Sequence, residues 1–275
     1  MPKKPFYYLV FLLLSLVFNT QAQTQEGSDA LITTLTQNLE GQSEGEKMVT
    51  IAKRLLGKPY LAFTLESPEE HLICRMDGFD CYTLVETVLA LSKVATYQEP
   101  NLADFREMMT NLRYRDGEIN GYTSRIHYFF EWTKHAEDLG FVEDLTPELG
   151  SPKPKPINFM STHRQYYSAF KTNNKIWNDV KAMEANLADY DFYQLTPADL
   201  KRVADQIQSG DIIAFTSNIN GLDVNHEAIA YRENGELKFI HASSELKKVV
   251  IADETILQYI NRIKKHEGLM VLRVL

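Results

Sequence analysis

The sequence predicts an α+β protein. Helical periodicity dominates its first two thirds, and short apolar runs separated by turn residues dominate its last third. Two stretches show the contrast. Leu84, Val85, Val88, Leu89 and Leu91 recur at helical spacing and form one apolar face. The runs 227–231 and 237–241 flank Glu233-Asn234-Gly235-Glu236, whose Asn-Gly pair signals a tight antiparallel hairpin.

Taken in order, the chain opens with Lys3 and Lys4 before an apolar run, 6–18, that is short for a bilayer span. Thr20-Gln21-Ala22 offers small residues for cleavage, so residues 1–22 read as a secretory signal and 23–275 as a single domain. The expected destination is the periplasm or the cell exterior. No cysteine follows the cleavage site to take a lipid, and no later stretch is apolar enough to span a bilayer. No stable membrane insertion is therefore expected once the signal is cut. Residues 23–46 are polar and read as a loosely ordered lead-in. A helix is expected over 46–56, stopped by Gly57 and Pro59. An extended segment follows at 60–65, then a helix from Cys81 to about Ala95. Further helices at 101–111 and 124–139 flank a loop, 114–122, that carries two glycines. The alternating prolines of 151–156 make a stiff linker. Residues 157–200 read as mostly helical, best at 169–184, so the region from about 150 to 200 is expected as a helical insertion walling one side of a cleft. Strands at 212–215, in the hairpin, at 248–251 and at 269–273 complete the sheet.

Composition narrows the function classes. The 275 residues carry a formal charge of −8, and loss of a signal with two lysines and no acids would leave 253 residues at −10. That length buries a full core without staples, and the acidic balance argues against a nucleic-acid partner. Two cysteines, Cys74 and Cys81, do not make a disulfide scaffold. Cys74 sits in an apolar stretch without a helix start and reads as packing.

Cys81 has a different setting. Asp80 is a good N-cap residue, which puts Cys81 at the first helical position. There the helix dipole favours thiolate, and nearby first-turn N–H groups can donate to an oxyanion. The alternatives are a small apolar residue packed under the helix start or a structural bridge to Cys74. A cysteine nucleophile needs a base, and the base needs an orienting group. His226 opens one hairpin arm and His241 ends the other, so antiparallel pairing makes them neighbours. Metal binding by Asp223, His226, Glu227, His241 and Cys81 is the rival chemistry. No Cys-x-x-Cys or His-Glu-x-x-His spacing occurs, and strand alternation turns Glu227 away from His226. No metal and no cofactor are expected.

Several pieces then line up: Gly57-Lys58-Pro59-Tyr60 with Thr64-Leu65-Glu66, Phe79 to Thr87, Ser124 to Tyr128, Gly221 to His226, His241-Ala242-Ser243-Ser244, and the closing Gly268 to Arg273. In this order they resemble the NlpC-like, papain-related cell-wall hydrolases, and more closely their N-acetylmuramoyl-L-alanine amidase-like branch. The resemblance implies a papain-like α+β fold, with the helix-start cysteine packed on a central antiparallel sheet. It implies Cys81 as nucleophile, His226 as base and His241 as orienting residue, with the Tyr60 hydroxyl near the thiolate to help stabilise the oxyanion. Phe63 stands where the branch is expected to have a small residue. Glu66, Asp80, Arg125, His127, Tyr128 and Asp223 become candidate substrate contacts. Their alternative readings are structural: an ion pair for Glu66 and Arg125, core packing for Tyr128. The implied partner is a peptidoglycan-derived muropeptide, cut between N-acetylmuramic acid and L-alanine. Rivals are cleavage of the γ-D-glutamyl-diaminopimelate bond, a catalytically silent muropeptide-binding module, and a metal-dependent hydrolase.

Overall fold

A computed structural model describes residues 27–275, and the signal assigned to 1–22 lies outside them. The strands, in chain order, are β1 (Val142–Asp144), β2 (Ser151–Pro152), β3 (Tyr193–Gln194), β4 (Ile212–Ser217), β5 (Val224–Glu233), β6 (Glu236–Ser243), β7 (Lys248–Ile251) and β8 (His266–Val274). Six of them form one sheet in the order β1-β8-β4-β5-β6-β7, every neighbouring pair antiparallel. β2 and β3 make a separate two-stranded ribbon.

Both faces of the sheet are covered, which is why β4 is buried along its whole length. Because side chains alternate along a strand, its residues divide between two cores. Ile212 and Ala214 join Ile229, Ile240, Ala242, Met270 and Leu272 on the face that carries helices Glu44–Arg54 and Cys81–Val94. Ile213 and Phe215 join Ala228, Ala230, Phe239, Leu269 and Val271 on the other, under helices Pro197–Val203 and Ile256–Arg262. Gly45, in the first turn of the Glu44–Arg54 helix, lies against Gly210 before β4. A Cβ on Gly210 would come within 2.2 Å of the Gly45 backbone, so neither position admits a side chain.

The α+β class is the one expected, with several local departures. Residues 29–36, placed in a loose lead-in, form a helix capped by Ser28 whose Ile32 and Leu35 enter the core. The extended segment expected at 60–65 is absent. Only Pro59 and Tyr60 make bridges, and the chain then turns at Phe63, which has φ +59°. The helix expected over 124–139 begins at Phe129, because Arg125 bridges to Tyr114 in extended conformation. In the region from 150 to 200 the longest helix is Asn174–Asn186, accompanied by the β2–β3 ribbon and short helices. The helix Ile256–Arg262 and strand β1 were not read from the sequence.

The Cys81–Val94 helix is fixed at both levels. Asp80 accepts the Thr83 N–H at 2.9 Å and the Thr83 hydroxyl accepts the Asp80 N–H at 3.0 Å, a reciprocal capping box. Deeper in, Arg113 donates from Nε and Nη2 to Glu86 Oε2 at 2.9 and 2.7 Å, and from Nη1 to the Ile73 carbonyl. This pair is 1% and 0% exposed. Removing one partner strands the other charge in the core. Arg113→Met should therefore cost roughly 3–5 kcal/mol of unfolding free energy, with Arg113→Met/Glu86→Leu recovering much of the loss. Urea unfolding checks this, and a single mutant with an unchanged midpoint would disprove it.

Candidate active site

The site forms where the start of the Cys81–Val94 helix meets β5. The pairing of β5 with β6 runs outward from Ile229 and Ile240 to the Asn234-Gly235 turn, and it stops short of His226 and Glu227. Between Thr216 and Phe215 the β4–β5 register shifts, so Asn225 is the extra residue of a bulge just before His226. Bulges of this kind re-aim the side chain that follows. Glu227 pairs with Ala214 of β4, has no partner on β6 and is buried, and its charge bears on Cys81. Cys81 is partly exposed and unbridged, whereas Cys74 is buried in the core.

His226 and His241 are brought together as expected, with Nε2 of the first 2.7 Å from Nδ1 of the second. Their rings cross at 84° with centroids 4.9 Å apart. Phe215 lies nearly parallel to His226, and the Tyr259 ring stands 5.8 Å from both imidazoles. Burial pushes the Tyr259 hydroxyl up to about 12, with the Cys81 charge a smaller contribution in the same direction. A depression of about 250 Å³ opens on His241, Ser243, Tyr259 and Arg262.

Electrostatics here follow from burial. Loss of water pushes the Cys81 thiol well up, reinforced by Glu227 and Asp80, against the lowering by the Glu227 N–H. The helix-start position suggested the opposite direction, and the burial effect outweighs the dipole. Burial pushes His226 well down, helped by His241 and His266. His241 falls to about 4 through burial and the Arg262 charge. Glu227 rises to about 8 through burial and its neighbours Asp80 and Asp223.

Tyr60 is half-buried beside the thiol. Burial, then the Cys81 and Asp80 charges, push its hydroxyl up to about 12. Its position depends on Gly78. The Pro59–Leu61 segment lies against Phe79 through the Phe79 N–H to Pro59 carbonyl bond at 2.9 Å. A Cβ on Gly78 would meet the Leu61 side chain at 2.6 Å and the Pro59 carbonyl at 2.7 Å.

The six candidate substrate contacts divide. Asp80 is the helix cap described above. Tyr128 is 2% exposed, and its hydroxyl donates to Glu184 at 2.7 Å and accepts the Met160 N–H at 2.9 Å, tying the inserted region to the core. Asp223 is also 2% exposed and accepts the Phe130 N–H at 2.9 Å, capping the Phe129–Asp138 helix from a distant part of the chain. His127 stacks on Tyr122 at 4.5 Å and its Nε2 lies 2.9 Å from the Tyr122 carbonyl. Asp80, Tyr128, Asp223 and His127 thus each have a structural partner, and Tyr128 packs in the core as its alternative reading had it. Arg125 and Glu66 are paired at 3.0 Å, and Arg125 also holds Glu70 at 3.0 Å. Glu66 keeps 36% of its side chain exposed. Tyr122 flanks this group and meets Phe170 of the inserted region edge-on at 5.7 Å.

Tyr259 and Glu70 were not read as parts of the site, and Glu227 was weighed only as a ligand of the rival metal site. A signal for Glu227 did exist: it is an acid at the start of the apolar run Ala228-Ile229-Ala230, on the side of the strand that alternation assigns to the helix face. Nothing local marks Tyr259, which arrives from a helix that was not read.

The α+β scaffold joins His226 to His241 and packs the helix that begins at Cys81 on β5. A model of the AmiA-like family, N-acetylmuramoyl-L-alanine amidase-like, matches residues 50–269, and the chain belongs to this family. It is similar to the crystal structure of an N-acetylmuramoyl-L-alanine amidase from Bacteroides uniformis ATCC 8492, at 36% identity and TM-score 0.79 over 84% of this chain and 98% of that one. A Bacteroides fragilis structure provisionally named a xylanase is similar at 35% identity and TM-score 0.77, over 81% and 99%. A Legionella pneumophila structure shares the fold at 21% identity and TM-score 0.68, over 90% and 94%. Comparison with curated proteins returns no match.

The lowered histidines have a consequence for stability. Each imidazole binds its proton less readily folded than unfolded, so the unfolded chain gains protons first as pH falls. The stability is present above the ordinary value of about 6.5 and is lost on the way down to about 4 for His241 and His266. Glu227, raised to about 8, acts in the opposite sense over the same window, so the comparison isolates the histidine: going from about pH 6.5 to about pH 4.5 should cost the wild type more in melting temperature than it costs His241→Gln. Parallel wild-type and mutant slopes would contradict this.

Proposed function

We propose that this protein is an exported cysteine amidase of papain-like fold that hydrolyses muropeptides between N-acetylmuramic acid and L-alanine. The observation that carries the reading is the Cys81 thiol at the capped start of a helix that packs on β5, with His226 of β5 bonded to His241. Family membership supports the amide and the peptidoglycan-derived substrate. The basic start and apolar run of residues 1–22 support export of a single domain, 23–275.

The chemistry follows from the neutral resting state. With His226 Nε2–H donating to His241 Nδ1, the His226 Nδ1 is free to accept. As Cys81 Sγ attacks the carbonyl carbon, its proton passes to that nitrogen and then to the leaving amine when the C–N bond breaks. Water hydrolyses the thioester with His226 again as base. Tyr60, protonated at neutral pH, is a donor for the carbonyl oxygen as it becomes negative. Glu66 and Arg125 remain the candidates for stem-peptide contact.

Cys81→Ala should lower kcat/KM by at least about a thousandfold with the fold retained, and His226→Ala nearly as much, while His241→Ala keeps residual activity. Cys74→Ala should stay near wild type. The assay supplies a muramyl tetrapeptide carrying diaminopimelate and identifies products by mass. Intact tetrapeptide plus free amino sugar supports the amidase. A dipeptide beginning with diaminopimelate indicates the γ-D-glutamyl endopeptidase, and a bound but uncut ligand indicates a binding module. An active Cys81→Ala would end the cysteine mechanism.

A further inference from the structure

The hydrogen bond between His226 and His241 fixes one line between two nitrogens. It does not set the ring planes, because the outer torsion of a histidine is broad. The backbone does not set them either, since β5–β6 pairing begins at Ile229 and Ile240 and both histidines lie beyond it. Aromatic packing supplies the rest. Phe215 lies nearly parallel to His226 at 5.8 Å, and Phe239 meets His241 edge-on at 4.8 Å. Among the described residues, Tyr259 is the aromatic side chain that meets both imidazoles, at 5.8 Å to each and at 47° and 76° to their planes. It also packs on Phe215 and Phe239 at 4.9 and 5.0 Å. Tyr259 reaches this place from the helix Ile256–Arg262. Thr255 and Gln258 cap that helix reciprocally, at 2.8 and 3.3 Å. Ile256 and Ile260 sink into the core under the sheet, and Tyr259, three residues after Ile256, shares that face. Arg262, three residues further on, lies over the Tyr259 ring at 5.3 Å, and it donates from Nε to Glu254 at 3.1 Å and from Nη2 to Glu245 at 3.3 Å. Tyr259 is thus held by contacts that do not involve the imidazoles, as a positioning group must be.

We infer that Tyr259 positions the His226–His241 pair: its ring fixes the planes of both imidazoles, so that His226 keeps Nε2 on His241 and offers Nδ1 to the thiol proton. This role rests on the proposed cysteine mechanism and adds no proton transfer to it. Tyr259 acts through His226 and makes no contact with substrate in that scheme. The chemistry shows why such a group is needed. His226 takes the Cys81 proton at Nδ1 and later gives it to the leaving amine from the same atom, so a turned ring misses both. A carboxylate in the third place has two oxygens and could follow a turning ring. His241 has one accepting nitrogen in one plane. A histidine in the third place therefore has to be held itself, and a single side chain that meets both rings holds them together. The hydroxyl of Tyr259 is not required, because these contacts are ring to ring. The flat face is required, since an aliphatic side chain has no plane to match.

The test uses the full mature chain and two variants, Tyr259→Phe and Tyr259→Leu. Tyr259→Phe keeps the flat ring and should retain kcat within about twofold. Tyr259→Leu should lower kcat by about tenfold to a hundredfold, with KM within about twofold, because a misplaced base loses rate without losing substrate. A merely structural role would lower the melting temperature and leave the imidazoles of the folded protein as they are. The deciding measurement is therefore nitrogen-15 NMR of the histidine side chains without substrate, at about pH 7. In the parent and in Tyr259→Phe, His226 should carry its proton on Nε2 as a single tautomer. In Tyr259→Leu the two tautomers of His226 should mix. A folded Tyr259→Leu that keeps the single tautomer overturns the inference, whatever its kcat. An equal loss in Tyr259→Phe and Tyr259→Leu also overturns it, because the task would then belong to the hydroxyl. Should Tyr259→Leu not fold, Tyr259→Met, unbranched and without a plane, is read in the same way. Turnover by Cys81→Ala would defeat the cysteine mechanism separately, because the histidine spectra read the Tyr259 contacts whatever the enzyme cleaves.

Discussion

The packing of the Cys81–Val94 helix on β5 joins the helical half of the molecule to its sheet. β5 loses its β6 partner beyond Ile229, so the end of the strand that carries His226 and Glu227 is held by β4 alone within the sheet. Other features follow from this junction. The helix axis is held by the Asp80–Thr83 box at one end and by Glu86–Arg113 within the core. The segment carrying Tyr60 reaches the thiol because Gly78 lets it close on Phe79. The bulge at Asn225 comes immediately before His226, whose ring meets Phe215, His241 and Tyr259.

One physical cause, loss of water, sets every protonation state around the sulfur. It raises the thiol and Glu227 and lowers His226 and His241, so each rests uncharged near neutrality. A thiolate–imidazolium pair standing in the empty site would need two buried charges with few compensating donors. In the proposed mechanism charge instead appears during attack, when the carbonyl oxygen, the sulfur and the imidazole change together and the Tyr60 hydroxyl meets the oxygen. The driving force is then pre-placed dipoles rather than a stored ion pair.

What the sequence disclosed were the features encoded by short-range pattern. The apolar stripe of 84–91, the Asn-Gly hairpin and the Asp80 cap are local, and the His226–His241 contact follows from hairpin geometry alone. The misreadings share a cause in distant partners. Residues 124–128 have helical composition but are drawn extended by the Arg125–Tyr114 bridge. The lead-in at 29–36 folds because two apolar side chains find a core made by residues far along the chain. Asp223 and Tyr128 looked like polar groups available to a ligand. Their partners, Phe130 and Glu184, are separated from them by 93 and 56 residues, and no local pattern points to either. Glu227 was visible as a charge out of place, yet nothing local shows that the Cys81–Val94 helix packs on its strand.

The same reasoning shapes how the Glu66–Arg125 group can serve a charged peptide. Arg125 already faces two carboxylates, so a third can be accepted only by exchange. The two are not equivalent. Glu70 is 7% exposed, and the Tyr114 hydroxyl donates to it at 2.9 Å, so its place is fixed. Glu66 sits on the turn that follows Phe63 and keeps 36% of its side chain in solvent, where an ion pair is worth little. An incoming stem carboxylate would replace Glu66 and keep the same planar fork, while Glu70 holds the guanidinium in orientation. Phe63, 84% exposed on the same turn, would move with Glu66. On the proposed reading, binding at Arg125 is therefore coupled to the position of an aromatic side chain only three residues from Tyr60, and the turn that replaces the expected strand links recognition of the peptide to the oxyanion side of Cys81.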